Sequence, residues 1–172
     1  MSDNGLKVKD IAMNGLLIAL AMILSYVETL IPVFAAVPGM KIGLTNIVVL
    51  VALYVLGPRK AFTVNMVRII LVAFTFGNMF AMLYSAAGGI LSFVVMWALY
   101  KSGKFGPVGV SAAGGVAHNA GQIIVACLVL DTGYVFYYLP VLCISGIVAG
   151  ILIGIIGGET VKRLPSRATE GE

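Results

Sequence analysis

The strongest constraint on this chain is a succession of uninterrupted apolar runs separated by short polar turns. They cover residues 11–31, ending at Pro32; 43–56, closed by Gly57-Pro58; and 61–76, followed by Gly77-Asn78. Three more cover 79–100; 107–130, opened by a proline suited to a helix start; and 134–161, after Asp131-Thr132-Gly133. About 20 apolar residues in a helix cross the hydrocarbon core of a bilayer. In lipid a backbone must satisfy its own hydrogen bonds, and a helix does so within one segment. The expected fold is all-α, a polytopic membrane bundle of about six transmembrane helices. Composition agrees: 60% of the 172 residues are hydrophobic and 10% are charged, against about 25% charged in a soluble domain. A water-soluble fold of this size leaves too much of its chain facing solvent to hide that apolar surface. The chain reads as one domain, a bundle over 11–161 with a cytoplasmic segment at 1–10 and a cytoplasmic tail at 162–172.

The runs at 43–56 and 61–76 are short, about 30 residues together where two spans want about 40. Tilt, local thinning of the bilayer, or a partly re-entrant helix would accommodate them. Irregular backbone at membrane depth survives only where protein or a cavity surrounds it. The stretch around Pro38-Gly39 and Gly43 is therefore expected to fold back over a pocket.

Charge tests this count. Six spans with both termini in the cytoplasm place Lys7, Lys9, Arg59, Lys60, Lys101, Lys104, Lys162, Arg163 and Arg167 on one face, nine of the eleven basic residues. That asymmetry is the positive-inside signature. Five spans would scatter the clusters. The net charge of +4 is thus a topology signal and not a nucleic-acid footprint. The first run lacks a small-residue cleavage site after it and reads as a retained span. Cys127 and Cys143 lie in apolar runs without CxxC spacing and read as small buried hydrophobes.

Small residues recur every four positions: Gly146, Gly150, Gly154 and Gly158 on the last helix, Ala113, Ala117 and Gly121 on the fifth, Ala81, Ser85 and Gly89 on the fourth, and Gly15 with Ala19 on the first. Such stripes let helices approach closely in lipid. They serve either packing within this subunit or docking of a partner membrane protein, the first helix being the favoured docking face.

Polar groups inside the spans are the candidates for function, because an Arg at a helix centre costs about 2.5–3.5 kcal/mol on insertion scales. Arg68 stands out, with Asn65 three positions earlier on the same face. Glu28 aligns with Asn14, Ala21 and Ser25 along the first helix. Glu28 and Arg68 either neutralise each other or leave Arg68 to hold an anionic or carbonyl-bearing ligand. In GVSAAGGVAHNAGQ, the residues Ser111, Gly115, His118 and Gln122 share a face with Asn119 beside it, and His118, Asn119 and Gln122 are expected to point inward. His118 is either a satisfied bundle histidine or part of the site; with no second His it is no metal or haem ligand. Lys41 and Asn46, in PGMKIGLTN, are expected at the outer mouth of the pocket.

No catalytic constellation is evident. Asp3, Asp10 and Asp131 are isolated, so no aspartate-rich metal–diphosphate motif exists, and the P-loop and Ser/His/Asp arrangements are missing. No cofactor or metal is expected, and energised transport would need another subunit.

The stretches PGMKIGLTNIVVLVALYVLG, the Arg68 segment, YSAAGGILSFVVMW and GVSAAGGVAHNAGQ follow one another from about residue 32 to residue 130. In these the chain resembles the Gx transporter family, whose members are often labelled heptaprenyl diphosphate synthase component I; the HNxGQ element is the most specific part. The resemblance implies a fold like the substrate-binding S components of energy-coupling factor transporters, with six helices and a ligand pocket near the outer face. S components dock a transmembrane coupling protein through small residues of the first helix. Gly15 and Ala19 approximate that pattern, although no AxxxA motif is present. Some relatives are associated with extracellular electron transfer involving flavins and demethylmenaquinone.

The leading expectation is a non-enzymatic transporter subunit of the cell membrane with an outward-facing pocket for a vitamin, isoprenoid-related or quinone-like ligand, working with a partner membrane protein. Arg68, Asn65, His118, Asn119, Gln122 and Glu28 would line the pocket. The alternatives are a subunit of a quinone- or flavin-linked electron-transfer system and an accessory subunit of a prenyl diphosphate synthase.

Overall fold

Six α-helices account for the fold in the computed structural model, which describes residues 3–30 and 43–164. They are α1 (Asp3–Leu30), α2 (Asn46–Val55), α3 (Pro58–Thr75), α4 (Met79–Ser102), α5 (Pro107–Leu130) and α6 (Leu139–Arg163), with a 3-10 turn at Gly133–Tyr138 before α6. The all-α membrane bundle expected from the apolar runs is what forms. The helix boundaries fall close to the runs, except that α1 begins well before residue 11.

Four segments are long and apolar enough to cross a bilayer: Ile11–Leu30, Met79–Ser102, Pro107–Leu130 and Gly133–Arg163. The large apolar side chains they turn outward, such as Ile23, Leu128 and Ile144, present a greasy surface suited to acyl chains. By contrast α2 has ten residues, about 15 Å of helix, and cannot cross a core of about 30 Å alone. Nearly all of α2 is buried, from Asn46 through Val55. A helix apolar on every side belongs inside, and α2 is the centre of the main core, with Val48, Leu50, Leu53, Leu17, Ala21, Phe93 and Met96 packed together. The reversal into α3 uses Gly57 at φ 86°, a conformation that favours glycine, immediately before Pro58 at the first helical position.

The pairing of helix ends defines two faces. Pro107 at the start of α5 packs against Gly158 near the end of α6, and Tyr54 at the end of α2 meets Tyr100 near the end of α4, ring centroids 4.8 Å apart. This end carries Arg59, Lys60, Lys101, Lys104, Lys162 and Arg163, and is called the basic end below. At the opposite end the exposed Tyr134 and Tyr137 stack at 6.4 Å in the 3-10 turn, as aromatic residues do at the level of lipid headgroups. Tyr26 of α1 also packs there on Phe76, beyond the last turn of α3.

The stripe Gly146, Gly150 and Gly154 is consumed by packing within the subunit. A Cβ on Gly150 would lie 2.6 Å from the Cα of Ala112, and one on Gly154 would lie 2.6 Å from the Cα of Val108. Gly115 and Gly146 face each other so closely that a Cβ on either meets the other's backbone. Thus α5 and α6 touch backbone to backbone. Gly15 differs: it is exposed on α1, with nothing within 4 Å of the place a Cβ would take, and Ala19 is exposed beside it.

Candidate functional site

The apolar interior is interrupted at mid-depth by a polar layer. Arg68 lies ten residues past Pro58 and His118 eleven past Pro107, so both sit about 15–17 Å from the basic end at 1.5 Å per residue. The layer gathers around the start of α2. That helix begins in the middle of the bundle because α2 is short and its far end is tied to Tyr100.

The backbone just before α2 is held by α1. One carboxylate oxygen of Glu28, Oε1, accepts the amides of Gly43 and Leu44, the latter at 3.1 Å. These amides precede the first turn, where a helix leaves donors unpaired and its dipole favours negative charge. One turn earlier on α1, Ser25 Oγ and Thr45 Oγ1 share a hydrogen bond of 2.9 Å. Gly43 has φ 87°, and a Cβ there would crowd Asn46 Nδ2 at 3.1 Å and His118 Cδ2 at 3.4 Å. Glycine is what lets this strand of backbone enter between α1 and α5.

Arg68 is buried, 3% exposed. Its Nε and Nη2 donate to the same acceptor, Asn65 Oδ1, at 3.2 and 3.0 Å. Asn65 is oriented in turn by its Nδ2, which donates to the carbonyl of Gly89 at 3.0 Å. Those are the only hydrogen bonds of Arg68 among the described residues, so its Nη1 has no acceptor there. The Glu28 carboxylate attracts the guanidinium electrostatically, but among the described residues no direct ion pair joins them, and Oε1 is engaged by the α2 amides. Attraction without contact lies between the two readings of the sequence, structural pair and ligand-holding cation. A guanidinium buried with a neutral acceptor as its only hydrogen-bond partner is costly.

On α5, His118 packs its ring on the small surface of α4. A Cβ on Gly88 would lie 2.9 Å from the His118 carbonyl oxygen and 3.0 Å from ring atoms. Gln122 Nε2 and His118 Nε2 are 3.2 Å apart, with donor and acceptor set by the histidine tautomer. Asn119 faces α6, where its Nδ2 donates to the carbonyl of Leu142 at 2.6 Å. Asn119 Oδ1, Gln122 Oε1 and Ser111 Oγ are buried without a hydrogen-bond partner among the described residues. Each such orphan costs about 1–3 kcal/mol unless water or a ligand meets it.

The structure therefore brings Glu28, Asn65, Arg68, His118, Asn119 and Gln122 into one layer. Asn46 is placed differently from the expectation of an outer mouth: it is buried in the bundle with its Nδ2 3.4 Å from Ser92 Oγ. The cause is the brevity of α2, whose first residue starts at mid-depth. Lys41 and the stretch around Pro38-Gly39 lie outside the described residues. Sequence reasoning missed Thr45 and Ser92 as members of the layer; the signal was there in Ser85, Gly88, Gly89 and Ser92, which recur at helical spacing along α4. Beyond the layer, toward the end opposite the basic one, a small apolar crevice lies between α3 and α4, with room for about one water-sized group. Ile69, Val72, Ala73, Ala81, Met82 and Ser85 line it. It begins one turn past Asn65 and Arg68 on the same face of α3. Among the described residues, no group of three or more His, Cys, Asp or Glu side chains could hold a metal ion.

No curated protein and no solved structure matches the chain. The family resemblance read from the motifs is confirmed, however: the family described as heptaprenyl diphosphate synthase component I matches residues 17–160, which take in all six helices in whole or in part. This is a membrane protein of that family.

Proposed function

We propose that the chain is a non-catalytic membrane subunit that binds a small anionic ligand in its mid-bundle polar layer and passes it across the bilayer with a partner protein. One observation carries the reading. Arg68 is buried in a membrane bundle and, among the described residues, its hydrogen-bond acceptor is a neutral carboxamide oxygen. Among the described acidic residues, Asp131 caps the end of α5 and Glu159 lies near the end of α6, so neither is at this depth. An anion arriving from outside supplies what the fold withholds. The orphaned Asn119 and Gln122 oxygens support the same reading, since a ligand's donors would relieve them. The basic end is taken as cytoplasmic under the positive-inside rule, which directs the start of α2 toward the outside.

The test is retention of labelled candidate anions by protein reconstituted in phosphatidylcholine nanodiscs. Wild type is expected to retain at least one, Arg68→Ala to lose it about 100-fold or more, and Arg68→Lys to recover part of it, since Lys keeps the charge but not the fork. Binding indifferent to Arg68 would sink the proposal.

A second reading follows from the family's description, which names a component of a heptaprenyl diphosphate synthase. As an accessory subunit the chain would anchor a soluble synthase at the membrane. Co-purification with such an enzyme, and loss of its activity when this chain is removed, is the expected outcome of that reading; an ATPase-linked membrane partner supports the first.

A further inference from the structure

The outer surface of α4 changes character along its length. Ile90, Val94, Trp97 and Lys101 follow one another at three- and four-residue steps, which sets them on one helical face, and all four are exposed. At 1.5 Å per residue this stripe runs about 16 Å, about half the hydrocarbon core and so the depth of one leaflet. Its order is that of a phospholipid: branched apolar side chains at the depth of acyl chains, an indole near the interface, an ammonium group at the end. Lys101 Nζ lies 5.9 Å from the centre of the Trp97 ring, within reach of a cation–π attraction. Gly103, at φ 67°, then ends the helix, and the exposed Lys104 and Phe105 follow in the loop to α5. Phe105 lies along the first turn of α5, where a Cβ on Gly109 would be 3.5 Å from its ring.

The protein supplies these two lysines with no counter-charge: among the described residues neither forms an ion pair. Glu159 is taken by Lys162, at 2.6 Å, on α6, and α5 stands between α6 and α4. Asp3 and Asp10 belong to α1, which packs on α2 and α3 and not on α4 or α5. Asp131 closes α5 at the far end. We infer that the end of α4 and the α4–α5 loop bind an anionic phospholipid, its phosphate at Lys101 and Lys104 and an acyl chain along Trp97, Val94 and Ile90. The site is separate from the mid-bundle layer and does not depend on it. An acidic soluble protein would meet the lysines alone, whereas the apolar stripe below them is reached from within the leaflet.

Trp97 is the single tryptophan of the sequence, so its fluorescence reports on this surface alone. The protein is reconstituted in vesicles of phosphatidylcholine and phosphatidylglycerol of fixed composition. An equal fraction of the lipid carries quenching bromines on its acyl chains, either on phosphatidylglycerol or on phosphatidylcholine. Brominated phosphatidylglycerol should quench Trp97 more strongly, to an extent that reports a local enrichment of about fivefold or more, since each lysine near a membrane surface contributes about that factor. Lys101→Gln with Lys104→Gln should bring the enrichment to about one, and Lys101→Arg with Lys104→Arg should keep it. Lys162→Gln with Arg163→Gln takes the same charge from this end of the protein on the other side of α5 and should leave it unchanged. Monodisperse elution confirms that each variant folds. Equal quenching by the two lipids in wild type overturns the inference and leaves the lysines to a partner protein. An enrichment that survives loss of Lys101 and Lys104 overturns it too. So does one lost equally in the α6 variant, because the attraction then belongs to the whole basic end and not to a site.

Discussion

Replacing Gly150 by alanine probes how the bundle is held together and separates packing glycines from surface ones. Its new Cβ would sit 2.6 Å from Ala112 Cα and 2.6 Å from the Ser111 carbonyl oxygen, where ordinary contact begins near 3.4 Å. Both obstacles are tied to backbone or a rigid carbonyl, so no side chain can swing away. The helices must part by about 0.8 Å, the difference between those distances. A gap of that size forfeits about a quarter to a half of each dispersion contact along the seam, and overpacking of this kind costs about 1–3 kcal/mol. In lipid, where packing replaces the hydrophobic drive between helices, nothing compensates. Gly15→Ala is the control: nothing lies within 4 Å of its Cβ position, so the change should be neutral or gain up to about 1 kcal/mol of helix propensity. Reversible unfolding in mixed detergent micelles, followed by the fluorescence of Trp97, the single tryptophan, reads both. The reasoning is refuted if Gly150→Ala proves neutral or if Gly15→Ala costs as much.

Three further outcomes follow from the layer and the first helix. Glu28→Gln removes the charge that attracts Arg68 and should raise the affinity for anions several-fold while costing about 1–2 kcal/mol at the α2 amides; paired binding and unfolding titrations measure the two effects. Gly88→Ala pushes on His118, 2.9 Å from its carbonyl and 3.0 Å from its ring, and should weaken ligand retention about tenfold or more with a loss of about 1–3 kcal/mol in stability. Gly15→Leu, on the open face of α1, should leave stability within about 0.5 kcal/mol yet abolish capture of a membrane partner if that face docks one; unchanged capture in a pull-down would remove α1 from the docking surface.

Hydropathy located every helix because the lipid requirement acts on runs of residues and is blind to neighbours. What it could not show was depth. Asn46, which follows Thr45, was expected at the outer mouth, since a reader of sequence places the start of each apolar run at a membrane surface. Because α2 is a half-length helix anchored by Tyr54 at the basic end, those residues lie instead in the middle of the protein. The inward direction of His118, Asn119 and Gln122 was legible from the cost of polar groups in lipid, and all three are buried. Which of their atoms lack partners was not, because that depends on α6 supplying the Leu142 carbonyl and α4 supplying bare glycine. The glycine stripe on α6 posed the same problem: spacing marks a face, while only the opposing backbone of α5 tells packing from docking.

The way Arg68 is held fits a site that must release what it binds. A carboxylate in direct contact would neutralise the guanidinium permanently, and an incoming anion would have to break that pair before binding. No partner at all would leave the desolvation cost unrelieved. Asn65 gives the cation two hydrogen bonds without cancelling its charge, and Glu28 stabilises it from a distance while its own oxygen is retained by the start of α2. The arrangement has a consequence for the double variant Glu28→Gln with Asn65→Leu. Losing the carboxylate's attraction strands the charge electrostatically, and losing the carboxamide strands its donors. Because both changes act on one group, their costs should exceed the sum of the singles, by about 0.5–3 kcal/mol for residues in one network. A saturating anion should erase that excess by supplying both charge and acceptors, so the coupling measured with and without ligand reports directly on what Arg68 holds.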